Sequence, residues 1–227
     1  MVNHSGQFSA PILIETESID GQLPPELRNP VRPDAFEVSP EAKIEAIAGH
    51  FEAIMHELGL DLTDDSLAGT PRRVAKMYVQ EWFAGLNPAA RPDVKLFENR
   101  YGYHEMLVER DITVFSCCEH HFVPIMGKAH VAYIPGDKVV GLSKLNRVVQ
   151  YYARRPQVQE RLTRQIGYEL QHSLGTPDVA VLIEADHLCV MSRGVNDIHS
   201  STLTSDYGGR FATDETLRRE FMRQIGK

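Results

Sequence analysis

A chain of 227 residues with 42% hydrophobic content is long enough for one core plus an extension, so we expect a single domain. Its formal net charge of −7 disfavours a nucleic-acid binder, which would normally be basic, although local cations can still hold an anionic small ligand. Three cysteines, an odd and small number, argue against a disulfide scaffold and indicate a reducing compartment, so we expect a cytoplasmic protein. We also expect no signal peptide and no membrane association, because the first ten residues lack a basic region and no apolar stretch reaches ~18 residues.

The N-terminal third predicts an arm followed by two helices. Residues 1–38 contain five prolines and little periodicity, and we expect them to form a flexible arm. Ser39-Pro40-Glu41 is typical of a helix start, and apolar residues at helical spacing predict an amphipathic helix over 40–58. A second helix is predicted to begin at Thr70-Pro71.

The rest of the chain alternates between pairs of strands and helices. The patterns predict strands at 106–116 and 128–134, helices at 143–154 and 157–174, and strands at 179–185 and 198–205. If the strand alternation continues past residue 185, His187 and Cys189 share one face. The last predicted helix, near 213–224, is polar, and we expect it at the periphery.

This order of elements predicts an α+β fold with a four-stranded antiparallel sheet and helices on one side. Both edges of such a sheet lack partners, and strand pairing between subunits would protect them, so we expect a closed ring of subunits. We divide the chain into the arm, 1–38, and a single domain, 39–227. That domain has a helical part, 39–100, and a sheet-containing core, 101–227.

The segment Cys118-Glu119-His120-His121 carries the clearest chemical signal. Cys118 and His121, spaced i and i+3, can bind one metal ion, and Cys189 can supply a third ligand when the chain returns. Three protein ligands leave an open position for water, as in catalytic zinc sites. Zinc suits these donors, although iron or another divalent metal would also fit. The alternative is that both cysteines are small buried apolar residues.

Two further histidines lie beside these candidate ligands. His120 precedes His121, and His187 lies two residues before Cys189. Histidine titrates near neutral pH, so either residue suits proton transfer, whereas an ordinary surface histidine is the alternative for both. Cys117 is interpreted as structural. Together these residues predict a zinc-dependent hydrolase.

Candidate phosphate contacts are concentrated at one helix start. Ser143, Lys144 and Arg147 combine a hydroxyl and two cations with a helix N-terminus, which suits a phosphate group. Folding could gather these with other cations and so favour a ligand with several phosphates. For any one of them a solvated basic surface is the alternative. The candidate cations are Arg73, Lys76, Lys144, Arg147 and Arg193.

Gln159 and Glu160 occupy the first turn of the predicted long helix, where acids are ordinarily favoured. An amide next to a carboxylate could also bind the N–H groups of a guanine edge. The pair alone does not decide between these two interpretations.

Several stretches in the same order closely resemble the zinc-dependent GTP cyclohydrolase I family. They are C-E-H-H at 118–121, G-L-S-K-L-N-R at 141–147, R-P-Q-V-Q-E-R-L at 155–162 and D-H-L-C-V-M-S-R-G at 186–194. T-P-R-R-V-A-K at 70–76 matches an upstream helix of that family. The resemblance covers residues 40–225 and leaves out only the arm.

The resemblance implies a tunnelling fold, in which the antiparallel sheet closes into a barrel on oligomerisation. It implies a homodecamer of two stacked pentamers with active sites between subunits. It further implies conversion of GTP and water to formate and 7,8-dihydroneopterin triphosphate, the first step of folate or pterin synthesis, with Zn²⁺ as cofactor.

Carried onto matching positions, the resemblance also implies residue roles. The metal ligands would be Cys118, His121 and Cys189. His120 would protonate the imidazole ring of the purine, and His187 would assist proton transfers at the ribose.

The remaining implied roles concern substrate binding. Glu160 and Gln159 would hold the guanine edge. The triphosphate would be held by Ser143, Lys144, Arg147 and Arg193, together with Arg73 and Lys76 from another subunit.

Two other classes of protein stay open at this point. A zinc deaminase acting on a purine usually combines H-x-E with a later P-C-x-x-C, and this chain has no P-C-x-x-C segment. A structural zinc module without enzymatic activity would need a fourth ligand, which Cys117 or His120 would have to supply.

Overall fold

The computed structural model describes residues 23–227. The α-helices are α1 (Pro40–Glu57), α2 (Thr70–Lys76), α3 (Leu142–Ala153), α4 (Gln159–Leu174), α5 (Leu188–Met191), α6 (Gly209–Thr213) and α7 (Glu215–Gln224). The strands are β1 (Leu96–Glu98), β2 (Leu107–Cys118), β3 (Pro124–Tyr133), β4 (Lys138–Val140), β5 (Pro156–Gln157), β6 (Val179–His187) and β7 (Thr202–Tyr207). A π-helical turn, Met77–Trp82, continues α2. The predicted order of two strands, two helices and two strands is confirmed.

Local sequence signals explain where several helices begin and end. The side chain of Ser39 accepts a hydrogen bond from the backbone N–H of Ala42, so α1 is capped as predicted. Asp214 caps α7 in the same way. Gly175 ends α4 with a φ of 64°, a left-handed conformation that glycine adopts without strain.

The main sheet has the strand order β5-β2-β3-β6-β7. The four long strands are antiparallel, as predicted, and β5 adds a short parallel partner at Cys117 and Cys118. A separate two-stranded sheet joins β1 to β4. Gly127 is required where β3 meets β6, because a Cβ there would lie 2.1 Å from the carbonyl oxygen of Glu184. The result is a mixed α+β fold with one dominant sheet.

The larger core cluster lies between the sheet and the helices α3 and α4. Leu145 and Val149 of α3 and Leu162 and Ile166 of α4 are fully buried against apolar residues of the strands, such as Val181. Apolar side chains at helical spacing made these two helices predictable, because each must bury one face against the sheet.

Residues 23–29 pack into this core, in contrast to the flexible arm predicted over 1–38. Leu23 and Leu27 are buried members of the larger cluster. The side-chain amide of Asn29 donates to the carbonyl of Pro156 over 2.8 Å, and its oxygen accepts from Gln165 Nε2 over 3.0 Å. The high proline content of this segment therefore indicates a backbone without long helices or strands, and it does not indicate a flexible segment. Residues 1–22 of the predicted arm lie outside the described residues.

A second buried cluster covers the opposite face of the sheet, so the expectation of helices on one side only is wrong. Phe221 of α7 is fully buried and packs edge-on against Phe211 of α6, with Ala180 and Leu182 of β6 beneath. The predicted peripheral position of this last helix is also wrong. The helix is polar in overall composition, but it has a narrow apolar stripe that packs against the sheet, and the prediction from composition did not take this stripe into account.

His130 of β3 is buried on this second face beneath two ion pairs. Its Nδ1 accepts the backbone N–H of Asp111 over 3.3 Å at a bulge in β2. Lys128 pairs with Asp111, and Lys227 pairs with Glu184. Burial lowers the pKa of His130, and the two lysines lower it further, whereas the two carboxylates oppose them.

None of the helices within residues 23–227 is long and apolar enough to cross a membrane.

Candidate metal centre and substrate site

The antiparallel pairing of β2, β3 and β6 brings the three predicted metal ligands together. Cys118 ends β2, where its N–H and carbonyl bond to Val123 and Phe122 and close a tight turn that carries His121. β6 runs back beside β3 and turns into α5, which carries Cys189. One ligand atom from each of these three residues lies within 4.8 Å of the others.

The predicted position of Cys189 needs a correction. We expected Cys189 on the same strand face as His187, but β6 ends at His187 and Cys189 lies in the helical turn α5. A helical turn advances the chain less per residue than a strand does, so Cys189 stays close to the end of β2.

The donor set fits a divalent metal ion such as zinc. Cys118 is buried, Cys189 is half-buried and His121 is exposed, with 3.8 Å between Cys118 Sγ and His121 Nδ1. Burial raises the pKa of the Cys189 thiol, and the hydrogen bond and charge of Cys118 raise it further. Two neighbouring thiolates repel each other, and a bound cation removes that repulsion.

No fourth protein ligand completes this group within residues 23–227. Cys117 is buried and its Sγ lies 3.8 Å from the carbonyl oxygen of Cys118, and burial, with the charge of Cys118, raises its pKa to about 12. His120 is 63% exposed, and its Nδ1 lies 3.8 Å from Cys118 Sγ, yet it is not part of the three-residue group. The arrangement therefore favours an open site over the closed site of a structural zinc module.

An ion pair that the sequence analysis did not identify stabilises the turn after Cys118, which carries His121. Arg161 of α4 bonds to the carboxylate of Glu119, and its Nε donates to Gln157 Oε1 over 3.0 Å. The backbone N–H of Glu119 donates to the carbonyl of Gln157 over 3.1 Å. The sequence offered one signal for this pair: Glu119 lies within the C-E-H-H segment, and Arg161, of opposite charge, lies within the R-P-Q-V-Q-E-R-L segment.

His187 lies at the end of β6 and is held by Gln159. The Nε2 of His187 is 2.7 Å from Gln159 Oε1, and Gln159 is only 1% exposed. Gln159 Nε2 bonds to two strand carbonyls and the hydroxyl of Thr204. The predicted contact between the Gln159 amide and guanine does not fit this geometry, because both amide hydrogens are used within the chain. Glu160, the next residue, is exposed, and burial lowers the pKa of His187, an effect that the Glu160 carboxylate opposes.

The predicted phosphate contacts are only partly brought together. Arg193 Nη1 donates to His121 Nε2 over 2.7 Å, which places a cation directly beside the metal group. Arg73 bonds instead to the carbonyl of Ser66 and the hydroxyl of Thr70. Within residues 23–227, no hydrogen bond or ion pair joins the metal group to Arg73, Lys76, Ser143, Lys144 or Arg147.

Fold and site together define an α+β protein with a Cys-His-Cys group able to hold a metal ion beside two histidines. The family model described as GTP cyclohydrolase I matches residues 47–226. GTP cyclohydrolase 1 of Flavobacterium johnsoniae is 58% identical over 206 residues, which cover 91% of this chain and 92% of the relative. GTP cyclohydrolase 1 of Salmonella arizonae is 54% identical over 199 residues, which cover 88% and 90%. The chain therefore belongs to the GTP cyclohydrolase I family.

Among solved structures, the apo crystal structure of the archaeosine synthase QueF-Like matches 47% of this chain and 94% of its own length. That match has a TM-score of 0.38 and 18% sequence identity, which is too slight a likeness to inform fold or function.

Proposed function

We propose that the protein is a GTP cyclohydrolase that converts GTP and water to formate and 7,8-dihydroneopterin triphosphate, with zinc as its cofactor. The observation that carries the proposal is the grouping of Cys118, His121 and Cys189 in a chain of the GTP cyclohydrolase I family. When bound to these residues, zinc supplies the Lewis acidity that makes water a nucleophile near neutral pH.

The exposed imidazole of His120 supports a role as the proton donor to the purine ring. Its Nε2 lies 3.9 Å from Glu119 Oε1, and the ring is open to a substrate. Protonation of the five-membered ring makes its carbon between the nitrogens electron-poor. Water then adds at that carbon, and loss of the carbon as formate requires a second hydrolysis.

His187 and Glu160 are proposed to act on the other parts of the substrate. His187 lies where β6 ends and α5 begins, two residues from Cys189, and is proposed to transfer protons at the ribose. Glu160 begins α4 as an exposed carboxylate and is proposed to accept the N–H groups of the guanine edge.

The cations that do not reach the metal group within one chain support a site shared between subunits. We propose that Ser143, Lys144, Arg147 and Arg193 hold the triphosphate together with Arg73 and Lys76 of a neighbouring subunit. Phe115 and Met126 are neighbours across β2 and β3, and both are exposed on the part of the sheet that α7 leaves uncovered. Apolar exposure on a sheet face, together with the free edge of β7 at one side of the sheet, favours burial against other copies of the chain.

This assembly is proposed to be a decamer of two pentamers in which the sheets close into the barrel of a tunnelling fold. Sedimentation velocity should give a particle of about ten chains. A fully active monomer at nanomolar concentration would refute the shared site. The three free cysteines fit a reducing compartment, which supports a cytoplasmic location.

Incubation of the zinc-loaded protein with GTP tests the reaction directly. We expect formate in equal amount to a pterin that becomes fluorescent after oxidation. Release of ammonia without formate would contradict the proposal and favour a deaminase.

His120→Ala distinguishes the open site from a closed structural one. We expect the variant to retain zinc and to lose turnover by about 100-fold or more, the usual contribution of a proton donor. Loss of zinc from the variant would instead identify His120 as a fourth ligand.

A further inference from the structure

The amide of Gln159 has only one orientation that its surroundings allow. Its nitrogen lies 3.1 Å from the carbonyl oxygen of Ile183 and 2.9 Å from that of Thr202. Carbonyl oxygens only accept hydrogen bonds, so the amide atom that faces both of them must be the donor, Nε2. Because Ile183 and Thr202 belong to the paired strands β6 and β7, the amide is fixed to the sheet itself.

A ring of hydrogen bonds strengthens this orientation. Gln159 Nε2 also donates to Thr204 Oγ1 over 3.1 Å. Thr163 Oγ1 donates to the backbone carbonyl of Gln159 over 2.8 Å, so the hydrogen between the two threonine hydroxyls, 2.6 Å apart, comes from Thr204. Each threonine hydroxyl then donates to one acceptor, while the two hydrogens of Gln159 Nε2 are shared among three acceptors. Such chains of hydrogen bonds reinforce each other.

The fixed amide in turn fixes the ring of His187. Gln159 Oε1 points at His187 Nε2 over 2.7 Å, and an amide oxygen only accepts. Nε2 must therefore carry a hydrogen, and in the neutral ring Nδ1 has the lone pair. No hydrogen bond of residues 23–227 involves Nδ1 of His187, so Nδ1 is the nitrogen left for the substrate.

We propose that Gln159 is a positioning residue, which holds the ring of His187 in one orientation and one tautomer and does not bind guanine through its side chain. This inference rests on the proposed function, in which His187 acts on the substrate. It assigns the substrate-facing role to Nδ1 of His187. It also leaves Glu160 as the side chain of this pair that contacts the guanine edge.

Gln159→Met tests the assignment, because methionine fills a similar volume without an amide. A displaced catalytic group costs about 100-fold in rate, so we expect kcat to fall by about that factor while KM for GTP changes less than about twofold. A large rise in KM with little change in kcat is the result expected of a guanine contact and would overturn the proposal. Gln171→Met on the same helix, where the amide bonds only to the carbonyl of Pro177, is the matched control and should change neither constant.

Binding measurements separate positioning from a general loss of structure. In the His120→Ala, His187→Ala double variant both the opening of the purine ring and the later ribose steps are slowed, so the Kd of GTP can be measured before turnover. Adding Gln159→Met there should leave the Kd within about twofold, because the group it positions is already gone. A weakening of about tenfold or more would overturn the proposal.

Gln159→Asn is the second variant if Gln159→Met does not fold. Asparagine keeps the amide but is too short to reach both the strand carbonyls and His187, so kcat should fall as in Gln159→Met. Wild-type kcat in Gln159→Asn would overturn the proposal. If the wild-type protein releases no formate from GTP, the proposed function itself fails, whereas a normal wild type with a KM defect in Gln159→Met rejects only the role of Gln159.

Discussion

Leu27 offers a direct test of the finding that residues 23–29 belong to the core. The side chain is 3% exposed and packs within the larger apolar cluster. Leu27→Ala removes three carbon atoms, each worth ~0.8 kcal/mol of transfer free energy, and leaves a cavity that adds to the cost. We expect the free energy of unfolding to fall by about 3 kcal/mol, which lowers the melting temperature by about 6–12 °C in a domain of this size.

The matched control is Leu58→Ala, at a leucine that is 72% exposed after α1. This change should alter the free energy of unfolding by less than ~0.5 kcal/mol. Both variants are unfolded with urea at the same protein and zinc concentrations, because subunit association and metal binding each add to apparent stability. If Leu27→Ala is no more destabilising than Leu58→Ala, residues 23–29 are not docked and the reasoning is wrong.

Three further changes test other parts of the account. Arg161→Gln removes the partner of Glu119, and we expect competition with a chelator to show about tenfold weaker zinc retention. His130→Asn removes a group whose folded pKa burial holds below the unfolded value of 6.5, so the wild type should lose stability more steeply than the variant as pH falls below 6.5. Phe221→Ala should cost about 3–5 kcal/mol in urea unfolding, far more than Phe97→Ala at an exposed ring.

Each of these three changes has a control and a contrary outcome. Arg210→Gln breaks an ion pair with Asp178 elsewhere in the fold and should leave zinc retention unchanged, so equal losses would reject a local role for Arg161. His50→Asn, at an exposed position of α1, should follow the wild-type pH profile, and the same profile in His130→Asn would show that His130 does not contribute. A small effect of Phe221→Ala would place α7 at the periphery after all.

Sequence patterns were most informative where the structure depends on neighbouring residues. The cap at Ser39, the glycine at 175 and the apolar faces of α3 and α4 each follow from a few residues close together in the chain. The pairing of Cys118 with His121 is equally local, because one turn carries both side chains. These features were predictable because short-range geometry decides them.

Features that depend on distant residues were not predictable in the same way. Leu27 is buried because α4 and the sheet form a surface for it, and proline content nearby gives no sign of that surface. The orientation of Gln159 is decided by carbonyls 24 and 43 residues away on β6 and β7. Cys189 was placed on a strand because alternation alone cannot show where a strand turns into a helix.

Zinc titration of the metal-free protein, with formate release from GTP as the signal, addresses the central claim most directly. We predict that activity rises with added zinc and stops rising at one ion per chain, and that Cys189→Ser abolishes both tight zinc uptake and formate release. Formate release by the metal-free protein, or full zinc uptake by Cys189→Ser, would contradict the claim that Cys118, His121 and Cys189 form the catalytic metal site.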